Sequence, residues 1–118
     1  MSLVNTFLAL AIDVETRKPR ISNGMGGLSG PAIRPIAVRM TYECARAVKI
    51  PVIGMGGIAS IADALEFLIA GASAVQVGTA NFVNPFIWNE LRSGLADYMT
   101  RHRVASVSEI VGTVDFSH

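Results

Sequence analysis

The chain has 118 residues, enough for one compact domain with its own core, and hydrophobic residues make up 51% before its 11 glycines are counted. An ordinary soluble domain reaches roughly 45–50% with glycine included; the excess marks interior-rich α/β material, because parallel strands are buried on both faces. A net charge of +1 without a basic cluster argues against nucleic acid or an anionic lipid surface as partner, and no apolar run reaches the ~18 residues of a membrane span.

Residues 1–3, Met1-Ser2-Leu3, lack the basic and long apolar regions of a signal peptide and are read as a candidate expression leader joined at Val4. Residues 4–34 form the next unit. Within it the stretch from Asp13 to Pro31 is polar, glycine-rich and 19 residues long. A connection of that length is expected to be a functional lid or an inserted hairpin, with Asp13, Glu15, Arg17 and Lys18 on a solvated face. Residues 35–118 read as successive βα units. Ile33, Ile36, Ala37, Met40, Cys44, Ala47 and Val48 follow a helical period, and Pro35 suits the first turn of that helix.

Val52-Ile53-Gly54-Met55 then reads as a short strand ending at Gly56-Gly57. Ser60 and Asp63 form a capping-box-like start for a second helix whose buried stripe is Ile61, Leu65, Leu68 and Ile69. Gly71 stops it. Ala74-Val75-Gln76-Val77-Gly78 is another strand, followed by a turn. A third helical pattern runs from about Pro85 to His102, with a further turn over Val107–Val111, and Phe86 and Trp88 are expected to pack as core or cover the barrel end. Strands alternating with helices predict parallel pairing with right-handed crossovers. Cys44 stands alone and lies in a helical apolar stripe, so it is read as a packed, inert thiol of a reducing cytoplasm. His102 is assigned to a surface role at a helix end, and His118, the last residue, is expected to be disordered. No metal ligand set is found.

The chemistry concentrates in glycines. Gly56-Gly57 and Gly78-Thr79 follow successive strands, and parallel neighbours place both turns at the carboxyl edge of one sheet. Glycine lets backbone N–H groups approach an anion closely, and Thr79 adds a hydroxyl. The loops after strands seven and eight of (β/α)8 barrels form a recurring phosphate site. The bland alternative is that these glycines only permit tight turns. The Gly26-Gly27-Leu28-Ser29-Gly30 loop, placed before a helix start, is expected to add a third set of amides.

Read in order, Asn5-Thr6-Phe7, Ala11-Ile12-Asp13-Val14-Glu15-Thr16-Arg17, Gly26-Gly27-Leu28-Ser29-Gly30-Pro31-Ala32-Ile33, Gly54-Met55-Gly56-Gly57-Ile58 and Val75-Gln76-Val77-Gly78-Thr79-Ala80-Asn81 resemble the dihydroorotate dehydrogenase family. The likeness runs from Val4 to Val114 and is closest to the NAD-linked class 1B type. It implies the C-terminal part of a (β/α)8 TIM barrel, incomplete as a monomer. It further implies FMN as cofactor, held by Gly30, Gly56, Gly57, Gly78 and Thr79, and a pyrimidine substrate, dihydroorotate or orotate, bound by Asn5 and Thr6. An iron–sulfur FAD electron-transfer subunit is the implied partner.

The family's base cysteine and flavin-contacting lysines belong to earlier strands, so no residue here is assigned a catalytic role. Two functional readings stand: a segment of an enzyme oxidising dihydroorotate in pyrimidine synthesis, or a non-catalytic half-barrel binding phosphate or flavin at most. A phosphosugar-binding barrel is disfavoured by the GGLSGPAI and asparagine–threonine signatures. Uncovered sheet edges and helix faces lead us to expect self-association.

Overall fold

A computed structural model describes residues 1–117; His118 lies outside the described residues. In chain order the strands and helices are β1 (Ser2–Leu3), β2 (Phe7–Leu10), β3 (Ile12–Asp13), β4 (Lys18–Pro19), β5 (Met25–Leu28), α1 (Arg34–Ala47), β6 (Ile53–Met55), α2 (Ile61–Ala70), β7 (Ala74–Gln76), α3 (Ala80–Val83) and α4 (Ile87–His102). Single 3-10 turns occupy Pro31–Ile33 and Val107–Glu109.

β1, β6 and β7 form one parallel sheet in that order, with Ser2 opposite Ile53 and Met55 opposite Gln76. Helices separate the parallel strands along the chain, the α/β arrangement of the last units of a (β/α)8 barrel. The strands are short, β6 stopping directly before Gly56-Gly57, and this central strand is thinned for packing. A Cβ on Gly54 would come 2.5 Å from the Phe67 ring. The bare backbone there admits Phe67, which is wholly buried with Val52, Ile87 and Thr41. Val4, Ile33, Ala37, Ile58, Ala64 and Val77 complete this core beneath the sheet, and a second cluster joins Leu65 and Leu68 to Ile110 of the C-terminal segment.

Local signals account for the helix ends. Ser60 Oγ accepts from Asp63 N at 3.3 Å, and Asp63 Oδ2 accepts from Ala59 N at 2.9 Å, so the cap of α2 is closed from both sides. Gly71, with φ of 122°, ends α2, where its N–H and that of Gly112 share the Leu68 carbonyl. The α1 pattern is rotated from the expected one. Thr41 is wholly buried beside Ala37, whereas Ile36 and Ala47 are exposed, because the helix turns its 33–37–41 row toward the sheet.

Two further expectations are corrected. Phe86 and Trp88 do not pack as core: both are exposed, and Ile87 between them fills the core position; neighbours on a helix point roughly 100° apart, so only one of three can face inward. Residues 80–83, read as a turn, form the short helix α3.

The polar insert is an antiparallel hairpin that starts earlier than expected, at Phe7. β2 pairs with β5 from Phe7–Leu28 to Leu10–Met25, and β3 with β4 beyond it. It stretches the molecule to 56 Å along its long axis and raises the radius of gyration to 16.5 Å, against about 13.5 Å for a compact chain of this length. At its tip the Asp13 carboxylate accepts from Thr16 N at 2.8 Å, Thr16 Oγ1 at 3.0 Å and Glu15 N at 3.1 Å. Bonds from the Thr16 backbone, then its hydroxyl, hold this carboxyl below its ordinary 3.8. A depressed folded pKa means the tip gains stability above the ordinary value and loses it as pH falls through the folded one. Carbon-detected NMR of Asp13 is expected to give a midpoint below 3.8, moving back toward it in Thr16→Val. An unchanged midpoint in the variant would contradict the assignment.

Candidate functional site

The carboxyl ends of all three parallel strands lie on one edge of the sheet, so the segments after β1, β6 and β7 open together. Two cavities sit there. One, of about 170 Å³, is lined by Gly30, Gly57, Gly78, Thr79, Asn84 and Ile87 among others. The other, of about 190 Å³, is bordered by Asn5, Thr6, Ser29, Gly56 and Gln76 and shares Gly30, Gly57, Gly78 and Thr79 with the first. The seven residues singled out from the sequence therefore meet at one place. No titratable side chain lines either cavity.

Backbone accounting shows what this place offers. Beyond the strand ladder, the N–H groups of Gly57, Gly78 and Thr79 donate to no backbone acceptor among the described residues; Gly78 and Thr79 are open to solvent, and the Gly56 N–H faces Gln76, the β7 partner of Met55. Their direction follows from the planar trans peptide, in which C=O and N–H point opposite ways. The Met55 carbonyl accepts from Val4 N at 2.9 Å on the β1 side, which turns the Gly56 N–H toward β7. The Gly78 carbonyl accepts from Asn81 N and Asn81 Nδ2, both at 3.0 Å. That turns the Thr79 N–H away from Asn81. Asn81 Nδ2 also donates to the Val77 carbonyl at 2.7 Å.

The glycines divide the work. A Cβ on Gly57, at φ of 77°, would press to 2.6 Å from the Gly30 carbonyl oxygen and 2.9 Å from Arg34 Cβ; one on Gly56 would meet Ala37 Cβ at 2.8 Å. Close packing thus requires both. Gly30 and Gly78 would meet nothing within 4 Å, so their bareness leaves space rather than filling contact. Behind Gly57, Arg34 Nη1 pairs with Asp63 Oδ1 at 2.5 Å and ties the start of α1 to the start of α2. Asp63 is buried, so this pair stiffens the floor of the turn.

The glycine-rich loop differs from its expected form. Gly26, Gly27 and Leu28 lie inside strand β5, and only Ser29 and Gly30 are loop. A side chain on Gly27 would collide with Thr6, which explains glycine within a strand. The expected third set of amides is reduced as well. The first turn after Gly30 is 3-10, Pro31 has no N–H, and Ile33 N donates to the Gly30 carbonyl at 3.2 Å. Asn5 Oδ1 accepts from Thr6 N at 2.7 Å, which leaves the Asn5 amide nitrogen and the Thr6 hydroxyl for other partners. Sequence reasoning missed Ser29, Arg34 and Asn81. Only Asn81 carried a local signal, an amide three residues beyond a strand-ending glycine. Cys44 is half-buried on α1, 3.2 Å from Met1 Sδ, and lines neither cavity.

A parallel α/β sheet with glycine-lined cavities at its carboxyl edge has the layout of the last units of a (β/α)8 barrel. Residues 1–99 match the dihydroorotate dehydrogenase family. The chain is 56% identical over 115 residues to the dihydroorotate dehydrogenase B (NAD(+)) catalytic subunit of Caldicellulosiruptor bescii, covering 98% of this chain and 38% of that protein. The protein of the same name from Porphyromonas gingivalis is 53% identical over 118 residues, 100% of this chain and 38% of the relative. That from Thermoanaerobacter pseudethanolicus is 56% identical over 114, 97% and 38%. The chain belongs to the dihydroorotate dehydrogenase family, a family of oxidoreductases, and spans about 38% of the length of these relatives. No helix among the described residues is long and apolar enough to cross a membrane.

The two kinds of glycine give opposite expectations. Gly57→Ala should cost roughly 1–3 kcal/mol from backbone strain alone, read as a lowered urea midpoint. Gly78→Ala should leave the midpoint within about 0.5 kcal/mol of wild type while weakening binding of inorganic phosphate. Equal destabilisation by both would reduce Gly78 to a turn former.

Proposed function

We propose that this chain supplies the FMN-phosphate site and part of the substrate site of a protein that oxidises dihydroorotate to orotate in pyrimidine synthesis. The observation that carries the reading is the set of N–H groups on Gly57, Gly78 and Thr79 that meet no backbone acceptor, beside Gly56 and around shared cavities. A phosphate dianion matches that donor set: three neutral amides and a hydroxyl, with the charge offset by oriented backbone dipoles rather than by a cationic side chain. Gly30 and Gly78 leave the room that a phosphate and its ribityl arm require.

Asn5 and Thr6 take the substrate role. They border the second cavity, next to the glycine wall, and an amide can both donate to and accept from the N–H and C=O groups of a pyrimidine ring. FMN, when bound, supplies the capacity to accept a hydride from the substrate; the protein's part is to hold, orient and exclude. Removal of the accompanying proton needs a base, and we assign that role to none of these residues. The relatives bear the name of a catalytic subunit, in keeping with an iron–sulfur FAD partner that carries electrons onward to NAD. Exposed apolar side chains on the hairpin and on α3 support self-association. The lone cysteine suits a cytoplasmic setting.

The second reading, a half-barrel that binds phosphate or flavin without turning over substrate, is favoured for the chain by itself, because its cavities hold no titratable side chain. Titrating the chain with FMN should alter flavin fluorescence, and adding dihydroorotate anaerobically should leave the flavin absorbance unbleached. No response to FMN would overturn the cofactor assignment. Bleaching would place a working base within these residues.

A further inference from the structure

The loop that ends the hairpin and the turn that ends β7 are joined by one side-chain contact across 50 residues of sequence: Thr79 Oγ1 donates to Ser29 Oγ at 2.9 Å. Thr79 is the residue before α3, where a threonine hydroxyl commonly caps the helix, yet its side chain makes no capping bond. Ser29 makes no other side-chain hydrogen bond among the described residues. Both residues border the second cavity. We propose that Ser29 is a positioning residue for the anion site, its hydroxyl setting the direction in which Thr79 donates. This rests on the phosphate reading of that site.

The chemistry is that of a hydroxyl pair with two hydrogens and freely rotating O–H bonds. Without an anion, Thr79 satisfies itself by donating to Ser29. When a phosphate oxygen arrives, Thr79 turns its single hydrogen outward, and Ser29 reverses to donate to Thr79 Oγ1. Each bond then polarises the next, so the outward bond is stronger than an isolated threonine could make. The same exchange ties the hairpin's last loop to occupancy of the cavity. Gly30, the next residue, already seats its carbonyl where a Gly57 side chain would go, so the loop is held on two sides of the site.

The test compares FMN with riboflavin, which lacks the phosphate, by fluorescence titration of wild type, Ser29→Ala, Ser29→Thr, Thr79→Val and the Ser29→Ala/Thr79→Val pair. Ser29→Ala should weaken FMN about two- to tenfold, the loss of one neutral hydrogen bond, and leave riboflavin unchanged. Ser29→Thr, which keeps the hydroxyl, should retain wild-type affinity. Thr79→Val should weaken FMN about tenfold to a hundredfold, as for a bond to a charged group, and adding Ser29→Ala to it should cost nothing more. Equal losses for both flavins in Ser29→Ala, or additive losses in the pair, would overturn the positioning role. A wild-type chain holding FMN no better than riboflavin would overturn the phosphate reading and this role with it.

Discussion

Inside a parallel sheet every strand's N–H and C=O groups are consumed by its neighbours; where the strands stop, that supply of partners stops too. Here three strands stop side by side, and the two kinds of backbone group fare differently. The carbonyls of Met55, Val77, Gly78 and Thr79 are all taken, by Val4, Asn81 and Phe82. The N–H groups of Gly57, Gly78 and Thr79 meet no backbone acceptor beyond the ladder. Because a peptide's two polar groups point opposite ways, the bonds that Asn81 makes to the Val77 and Gly78 carbonyls turn the Gly78 and Thr79 amides away from Asn81. The phosphate reading of this edge rests on that one-sided satisfaction.

The surrounding residues serve to keep it so. Asn81 acts as a clamp on two carbonyls, the Arg34–Asp63 pair braces the floor of the Gly56-Gly57 turn, and Gly57 lets the Gly30 loop close against it. Neither Asn81 nor the Arg34–Asp63 pair needs to touch a ligand. They remove the freedom that flexible glycine turns would otherwise have, so that less ordering is left to be done when an anion binds.

Much of this was legible in residue order, and what was not has a physical reason. Apolar runs bounded by glycine located β6 and β7, and Ser60, Asp63 and Gly71 bracketed α2, because those signals are local. The burial phase of α1 was misread since Thr41, a polar residue, takes a core place that only packing could reveal. Strand β5 was hidden because glycines are poor strand formers, and the reason they are tolerated, room for Thr6, comes from a distant segment. Helix α3 has only four residues and is held by Asn81, so no periodicity announces it. For the site, glycines at strand ends pointed to Gly56, Gly57, Gly78 and Thr79, but their division into packed and open positions required three dimensions. Ser29 pairs across 50 residues with Thr79, beyond the reach of any local pattern. Exposed Leu8, Leu10 and Met25 on one hairpin face, and Phe82 and Val83 on α3, likewise read as ordinary apolar residues until the fold left them uncovered; patches of this kind mark surfaces for association.

Phosphate binding at this edge is tested most directly by following backbone amides during titration with inorganic phosphate in two-dimensional nitrogen–proton NMR. The amide signals of Gly56, Gly57, Gly78 and Thr79 should move together and yield one dissociation constant, with Asn81 and Arg34 little affected. Shifts scattered over the basic residues at the surface, or movement of only one of the two turns, would contradict it.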